Sequence, residues 1–235
     1  MSTTYILSIE TATPVCSVSL FSEQQLIHTV RASAENMHAN ELTLCMQRLL
    51  DETEVSFNQL SAIAVSKGPG SYTGLRIGVS AAKGLCYALD IPLIGINSLS
   101  AMLGGYRSNN PNDDTNLLYC PMIDARRQEV YTLMQHGELG LIKETHALIV
   151  DADTFTSYTD QGWKPVLFGS GADKFIPLFE NNKQIQIIPQ FESLASYQME
   201  MAYACYQAKQ FEDIAYFEPY YLKDFIATQP KKILL

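Results

Sequence analysis

Basic residues are scarce in this sequence. Its 235 residues include 16 Lys and Arg against 25 Asp and Glu, which gives a formal net charge of −9. A protein that grips RNA or DNA by itself usually presents a cluster of cations, because the release of counterions from phosphates drives binding. No cluster of that kind appears, and the nearest candidate is the pair Lys231–Lys232. We therefore expect any nucleic-acid substrate to be held by another subunit.

Cysteines are few and are not spaced for metal or disulfide chemistry. The five cysteines are odd in number, never form a CxxC pair, and each lies among apolar neighbours: Cys16, Cys45, Cys86, Cys120 and Cys205. Such cysteines are typical of small core side chains. This pattern disfavours a disulfide framework or a zinc site, and it favours a reducing cytosol as the compartment.

The sequence also lacks a segment that would enter a membrane. Residues 1–6 contain no basic stretch of the kind that opens a signal peptide. The most apolar stretch, from Ile77 to Ile96, is interrupted by a lysine, an aspartate and a proline, so we do not expect it to span a bilayer. A cytoplasmic protein with no membrane partner is the expectation.

Hydrophobic periodicity predicts the same series of elements twice, in the order of three strands, helix, strand, helix. The first series comprises strands at 5–10, 15–20 and 24–30, a helix at 37–54, a strand at 62–66, a helix at 75–89 and a further strand at 93–96. The second comprises strands at 117–124, 130–135 and 141–150, a helix at 153–160, a strand at 166–168, a helix at 173–179, a strand at 185–188 and a last helix at 193–210. This repetition indicates an internal duplication.

Two such halves predict an α/β fold with two lobes, each a mixed sheet with flanking helices. This is the duplicated actin-like, RNase H-like architecture of Hsp70 proteins and sugar kinases, in which ATP lies between the lobes. The polar segment 108–116 predicts the boundary. The N-terminal lobe would then span residues 1–107 and the C-terminal lobe residues 108–235. A shared fold does not by itself fix a function.

Two acidic turns occupy the places where an ATPase of this fold has its phosphate loops. They begin at Glu10 and at Asp124. Phosphate loops need glycine beside the acid, so that backbone N–H groups approach the phosphates without a Cβ in the way. Neither turn has one, so a carboxylate that caps a turn is favoured over one that holds Mg²⁺ for ATP.

The most distinctive run in the chain is glycine-rich and spans Gly68 to Gly78, between a predicted strand and a predicted helix. A helix N-terminus can collect an anion. However, no Gly-Lys-Ser/Thr follows at P-loop spacing, and no acidic residue follows as in a dinucleotide-binding fingerprint. The spacing therefore favours a structural turn in which Ser71 or Thr73 caps the helix and Gly74 allows close packing.

Histidines are not paired for metal binding. His38 opens the first long helix, but the position four residues later is Leu42, and the remaining three histidines have no paired spacing. A lone histidine at a helix end is usually a surface or capping residue. The sequence predicts neither a metal site nor a Ser-His-Asp or Cys-His nucleophile.

The helix from Leu75 to Leu89 is apolar over more of its circumference than packing on a single core requires. One stripe consists of Leu75, Gly78, Val79, Ala82, Cys86 and Leu89, and a second of Ile77, Ala81, Gly84, Leu85 and Ala88. Two interpretations remain open: a helix enclosed within its own lobe, or a helix that offers one face to a partner.

Three motifs in order resemble the TsaB (YeaZ) family. They are Ile6-Leu-Ser-Ile-Glu-Thr11, the run from Val65 to Gly78 that contains Gly-Pro-Gly-Ser-Tyr-Thr-Gly-Leu-Arg, and Ile123-Asp-Ala-Arg-Arg-Gln-Glu-Val-Tyr131. The resemblance is strong over about the first 135 residues. The remaining residues are similar to the family in length and layout but contain no motif as specific. The glycine-rich run is the most specific of the three.

The resemblance implies a role in tRNA modification. TsaB proteins are related to TsaD, the metal-bearing catalytic subunit, and pair with it through helices of the N-terminal lobe. TsaE, a small ATPase, joins the pair, and the complex transfers threonylcarbamoyl to adenosine 37 of tRNAs that read ANN codons. The resemblance also implies homodimers through the same helices when the protein is alone. The altered run from Met37 to Glu41 gives His38 no assigned role.

These implications place candidate functional residues in three groups. The partner interface would contain Leu42, Cys45, Met46, Leu75, Gly78, Val79, Ala82 and Cys86. The family-motif loop would contain Gly68, Pro69, Gly70, Ser71, Thr73, Gly74 and Arg76. A turn that sets the lobe geometry or contacts TsaE would contain Asp124, Arg126, Arg127 and Glu129.

The expected function is that of a non-catalytic scaffold subunit with no cofactor and no metal. It would bind TsaD and help recruit TsaE, with tRNA reached only through the complex. The alternative is an ATP-dependent phosphotransferase of the sugar-kinase type. Such an enzyme would have glycine in its phosphate loops, and this sequence lacks those glycines. A self-sufficient metalloprotease is the third interpretation, and the histidine spacing opposes it.

Overall fold

The computed structural model describes residues 3–32, 39–111 and 114–223, which form two sheets of five strands with helices packed on them. The first sheet contains β1 (Tyr5–Glu10), β2 (Cys16–Ser22), β3 (Gln25–Ala32), β4 (Leu60–Gly68) and β5 (Leu93–Asn97). Its spatial order is β3-β2-β1-β4-β5, with β1 antiparallel to β2 and parallel to β4. Because β1 is central and covered on both faces, five of its six residues are buried.

Helices cover one face of the first sheet. They are α1 (Ala39–Thr53) and α2 (Tyr72–Leu89). Side chains of the two helices, such as Leu49 and Val79, join Ile63 and Val65 of the sheet in one buried cluster. This packing places the glycine-rich loop between the end of β4 and the beginning of α2.

The second sheet repeats the topology of the first. Its strands are β6 (Leu117–Asp124), β7 (Glu129–His136), β8 (Gly140–Ile149), β9 (Lys164–Phe168) and β10 (Gln186–Ile188). Their spatial order, β8-β7-β6-β9-β10, matches that of the first sheet strand for strand. Two short helices, α4 (Thr156–Thr159) and α5 (Ile176–Phe179), belong to this half. The predicted α/β fold, a duplicated actin-like architecture of two lobes, is confirmed.

A helix that the periodicity does not predict lies between the two sheets. This is α3 (Ser98–Asn109), which begins at Asn97, whose side-chain oxygen accepts hydrogen bonds from the N–H groups of Leu99 and Ser100. Ala101 packs in the cluster of the first sheet, and Met102 in that of the second. Because α3 contacts both sheets, it joins the two lobes.

The chain returns to the first lobe near its C-terminus. Helix α6 (Met199–Gln207) packs Ala202 against Ile6 and Ile94, on the face of the first sheet opposite α1 and α2. The following segment, residues 211–223, which we call the C-terminal strap, inserts Phe217 into the core beneath α2. Although the sequence predicts one lobe from residue 108 to residue 235, residues 199–217 pack on the first sheet and contribute to its core.

None of the helices within the described ranges is long and apolar enough to cross a membrane.

Candidate functional site

The glycine-rich loop lies directly under the C-terminal strap. Gly68 has φ of +117°, and Pro69 follows it through a cis peptide bond. A Cβ on Gly68 would lie 2.5 Å from the carbonyl oxygen of Tyr220. The N–H of Tyr220 in turn donates to the carbonyl of Lys67 at 2.6 Å. Gly68 is thus required where two backbones meet.

Two further glycines of the loop allow contact with the turn that follows β1. The N–H of Ser71 donates to the carbonyl of Ala12 at 2.7 Å, and a Cβ on Gly70 would collide with that same carbonyl. A Cβ on Gly78 would collide with the hydroxyl of Thr11. The glycines face protein atoms, which favours the structural interpretation of the motif.

The beginning of α2 presents the remaining motif residues. The Ser71 side chain caps the helix by accepting from the N–H of Gly74 at 3.2 Å. Thr73 and Arg76 are exposed. The Arg76 guanidinium donates to the Tyr72 hydroxyl at 3.1 Å and lies 5.4 Å from the centre of that ring. Arg76 therefore stands at the helix surface, next to the strap.

Glu10 is fully buried and bound entirely by protein groups. Its carboxylate accepts hydrogen bonds from Ser66 at 2.5 Å, from the N–H of Ala12 at 2.6 Å and from Ser193 at 3.2 Å. Gln198 donates to the Ser66 hydroxyl at 2.9 Å and completes the network. Burial raises the pKa of Glu10 above its usual value, and these hydrogen bonds partly offset that effect.

The network around Glu10 fastens the C-terminal part of the chain to the first sheet. Ser193 and Gln198 precede α6, and between them the N–H of Ala195 donates to the hydroxyl of Ser17 at 2.9 Å. The segment 193–198 therefore occupies the cleft beside β1. An acid in this position of a nucleotide-binding protein would need an open approach, and here protein groups close it.

The acidic turn after β6 contains two ion pairs. Asp124 accepts from Lys174 at 2.5 Å, and Glu129 pairs with Lys223 of the strap. Lys174 also donates to the Glu129 carbonyl at 2.6 Å. The strap, which is anchored on Lys67 in the first lobe, thereby reaches the second lobe at Glu129.

The tip of the same turn consists of two exposed arginines in strained backbone conformations. Arg126 has φ of +71° and Arg127 has φ of +52°, in the left-handed region that favours glycine. Neither forms an ion pair with any carboxylate of residues 3–32, 39–111 and 114–223. Whether this turn contacts a third protein stays a prediction.

The residues expected at the partner interface are enclosed in their own lobe. At most 6% of the surface of each hydrophobic member is exposed, and Gly78 is also buried: Leu42, Cys45, Met46, Leu75, Val79, Ala82 and Cys86. These stripes of α1 and α2 face the first sheet, so they cannot contact a partner in this fold. Their burial opposes the predicted stripe and leaves the second stripe of α2 as the candidate, since both stripes are apolar and only the packing on the sheet distinguishes them. Which surface pairs with a partner stays a prediction.

The second stripe of α2 is only partly covered: Ile77, Ala81 and Leu85 are half-buried, and Gly84 and Ala88 are exposed. Together with α1 it forms a shallow groove of about 600 Å³. We call this surface the outer α1–α2 face; it comprises the groove residues Thr43, Ile77, Ser80 and Ala81, with Gly84 and Tyr87 one and two turns further along α2. The solvent-exposed fractions are 84% for Tyr87 and 62% for Leu44, the residue next to Thr43. Exposed apolar surface of this kind is typical of interaction sites.

Within the described ranges, no group of three or more His, Cys, Asp and Glu side chains could hold a metal ion. His28 lies 2.8 Å from Glu52 at the surface. His38, to which the sequence gave no role, lies outside the described residues.

The buried cysteines are poor nucleophiles. Burial raises the pKa of the Cys16 and Cys86 thiols to about 12, and it raises the pKa of Cys120 further. A thiol must lose its proton to react, so these side chains are inert near neutral pH. This agrees with their interpretation as core residues.

The C-terminal strap is the main contact region that the sequence prediction missed. It has no helical or strand periodicity, which is why the predicted elements stop at residue 210. One signal could have indicated it: five aromatic residues lie within 211–221, an unusual number for a solvated tail. They are Phe211, Tyr216, Phe217, Tyr220 and Tyr221.

Comparison with known protein families gives a match over most of the chain. A protein-family model described as TsaD, tRNA N6-adenosine threonylcarbamoyltransferase, matches residues 28–229. The transferase of that name from Streptococcus sanguinis is 30% identical over 157 residues, which cover 60% of this chain and 46% of that protein.

Curated relatives named tRNA threonylcarbamoyladenosine biosynthesis protein TsaB are also similar. The Bacillus subtilis protein is 34% identical over 139 residues, and these cover 59% of this chain and 58% of the relative. The Escherichia coli protein is 36% identical over 151 residues, covering 61% and 62% respectively. The chain therefore spans about three fifths of the length of these relatives.

A solved structure shares the fold over nearly the whole chain. It is a Pseudomonas aeruginosa protein described as similar to peptidase YeaZ, and it superimposes with a TM-score of 0.74. The match covers 95% of this chain and 100% of that one at 24% identity. With the family model spanning residues 28–229, the chain belongs to the threonylcarbamoyltransferase family of that model and, within it, to the TsaB (YeaZ) group of tRNA threonylcarbamoyladenosine biosynthesis proteins.

Proposed function

We propose that this chain is a non-catalytic subunit of the assembly that forms N6-threonylcarbamoyladenosine at position 37 of tRNA. It binds a TsaD-type catalytic subunit, helps recruit a TsaE-type ATPase and works in the cytoplasm. The tRNA is held only by the assembled complex. When the chain is alone, it forms a homodimer through the surface that the catalytic subunit would cover.

The outer α1–α2 face carries this proposal. It combines small residues, which let another backbone approach closely, with a large exposed aromatic side chain at Tyr87. Gly84 has no atom of the described residues within 4 Å of the position that a Cβ would take, so none of residues 3–32, 39–111 and 114–223 covers this part of α2. A partner helix laid along α2 would remove this apolar surface from water, which is the main driving force of protein association.

The cleft between the lobes supports a non-catalytic role. Glu10 is enclosed by Ser66, Ser193 and the N–H of Ala12. The glycines of the loop are occupied by the contacts with Ala12 and Tyr220. These groups hold the protein together at the places where a phosphotransferase would bind its nucleotide, so no observation favours the kinase alternative.

The direct test is reconstitution with the TsaD-type subunit of the same organism. We expect the two purified proteins to form a complex that elutes as one species in size-exclusion chromatography with light scattering. Threonylcarbamoyladenosine should form on tRNA only when the TsaD-type subunit is present. Modification of tRNA by this chain alone would contradict the non-catalytic role, and the absence of any complex would contradict the subunit role.

A further inference from the structure

The turn after β6 places more cations than carboxylates at one point of an acidic protein. Lys174 and Lys223 neutralise Asp124 and Glu129, as the two ion pairs show. The two arginines at the tip have no such partner among the described residues. Since the whole chain has a formal net charge of −9, two adjacent unpaired cations are a local exception.

A further carboxylate beside the turn, that of Asp151, is already engaged. Gln128 accepts the N–H of Val150, which brings Asp151 close to the turn. The Asp151 carboxylate accepts from the Thr154 hydroxyl at 2.7 Å and from the N–H of Asp153 at 3.1 Å. It caps its own turn, and it does not pair with either arginine.

The backbone holds the two arginines in place despite the strain. The N–H of Ala125 donates to the Glu129 carbonyl at 3.1 Å, and the N–H of Glu129 donates to the Arg126 carbonyl, also at 3.1 Å. The N–H of Arg126 donates to the Asp124 carboxylate at 3.0 Å. Glycine or asparagine would suit the two left-handed positions better. The turn therefore presents both guanidinium groups from backbone conformations that arginine itself does not favour.

We propose that Arg126 and Arg127 bind the phosphate backbone of tRNA when the TsaD-type subunit holds it. This inference rests on the proposed function. A guanidinium matches a phosphate with two parallel hydrogen bonds, and single charged groups are sufficient for a backbone contact. A protein partner would need a far larger surface, on the order of 800 Å² on each side. Two cations on a narrow turn fit the requirement of a phosphate contact. The net charge of −9 agrees with the proposal that the tRNA is held only by the assembled complex.

The test compares tRNA binding by two assembled complexes. One contains the parent chain and the other contains the chain with Arg126→Gly and Arg127→Gly, each with the same TsaD-type subunit. Because glycine relieves the strain at both positions, the variant should melt at the same temperature as the parent or higher. Its affinity for tRNA should fall about tenfold, and the slope of log K against log salt should become shallower by about 1.5.

A matched control and a conservative variant separate charge from backbone effects. Lys209→Gly also removes one exposed cation at a left-handed position, with φ of +53°, but it lies after α6. It should leave tRNA affinity unchanged. The double variant Arg126→Lys, Arg127→Lys keeps both charges. Its slope of log K against log salt should therefore be closer to that of the parent than to that of the double glycine variant.

Three outcomes would overturn the inference. Unchanged tRNA affinity and salt slope in the double glycine variant would exclude a phosphate contact. Loss of ATPase recruitment with tRNA binding intact would show that the arginines bind an acidic protein surface. Failure of the parent chain to pair with the TsaD-type subunit would overturn the proposed function and this inference with it. If pairing is intact and the double glycine variant binds tRNA as the parent does, only the inference is overturned.

Discussion

Gly68 and Tyr220 lie 152 positions apart in the chain, yet the Tyr220 carbonyl occupies the space that a Cβ on Gly68 would need. The adjacent hydrogen bond from the Tyr220 N–H to Lys67 fixes the strap on the loop. The glycine-rich motif, the most distinctive of the sequence, therefore serves in part as the surface on which the C-terminal strap packs.

Gly68→Ala should destabilise the protein. The new Cβ would lie 2.5 Å from the Tyr220 carbonyl, in a backbone conformation with φ of +117° that alanine rarely adopts. Strain of this kind costs roughly 1–3 kcal/mol, before any displacement of the strap. Urea unfolding should show the loss, whereas Gly104→Ala in α3, where no neighbour lies closer than 4.0 Å, should be neutral or slightly stabilising. Equal stabilities of the two variants would contradict this account of the loop.

Gly84→Arg should abolish pairing without damage to the fold. The position is helical, exposed and open, so arginine should add about 0.5–1 kcal/mol of helix stability in the isolated chain. At the interface the charge would be buried without a partner, which costs on the order of 2–5 kcal/mol, or roughly 30- to several-thousand-fold in affinity. Titration calorimetry with the TsaD-type subunit measures the loss. Undiminished affinity would place the interface elsewhere.

Ala82→Arg should instead prevent folding. Ala82 is completely buried against the first sheet, although it lies only two positions before Gly84. A guanidinium cannot be accommodated there without opening the core, since interiors are close-packed. Circular dichroism should show loss of the cooperative thermal transition. A folded Ala82→Arg variant that fails only to pair would restore the stripe first predicted from the sequence.

Glu10→Gln should change how stability depends on pH. Burial raises the pKa of Glu10 in the folded state, so the folded protein binds this proton more tightly than the unfolded chain does. The resulting stabilisation is present below the unfolded value of 4.5 and is lost as pH rises through the folded value. Above pH 4.5 the parent should therefore lose stability, relative to Glu10→Gln, by up to about 1.4 kcal/mol per pH unit. Parallel curves for the two proteins, from urea unfolding between pH 4 and 8, would rule this out.

Magnesium-dependent binding of ATP to the isolated chain should be weak or absent. No glycine accompanies Glu10 or Asp124, and the first of these carboxylates is enclosed by its own hydrogen-bond partners. Calorimetry on the purified chain, with and without magnesium, is the measurement. A dissociation constant in the low micromolar range would mean that the cleft opens for nucleotide.

Much of the fold is predictable from the sequence because the strands alternate clearly with helices. The unpredicted helix α3 shows where local patterns fail. It contains Gly104 and Gly105 in succession, which disfavour a helix. A Cβ at Gly105 would collide with the ring of Tyr197, so a distant contact requires the residue that local propensity opposes. The sequence alone cannot reveal that this contact requires glycine inside a helix.

The candidate site was harder to predict than the fold. Both stripes of α2 are apolar, and the sheet beneath selects the one that contains Ala82. The same limit applies to the strap, whose aromatic residues pack on loops and helix ends without a repeating period. The location of the acidic turns was predictable, but the lysines that pair with Asp124 and Glu129 come from 50 and 94 positions further along the chain.

The return of the chain to its first lobe sets the order in which the protein can fold during synthesis. The first sheet is complete once Asn97 has emerged from the ribosome, but its core also requires Phe217, roughly 120 residues later. At 5–20 residues per second, that interval is about 6 to 24 s. For most of that interval α6 has not been made, so it cannot yet shield Ile6 and Ile94 on the opposite face of the sheet from water. The N-terminal lobe is therefore begun first and finished last.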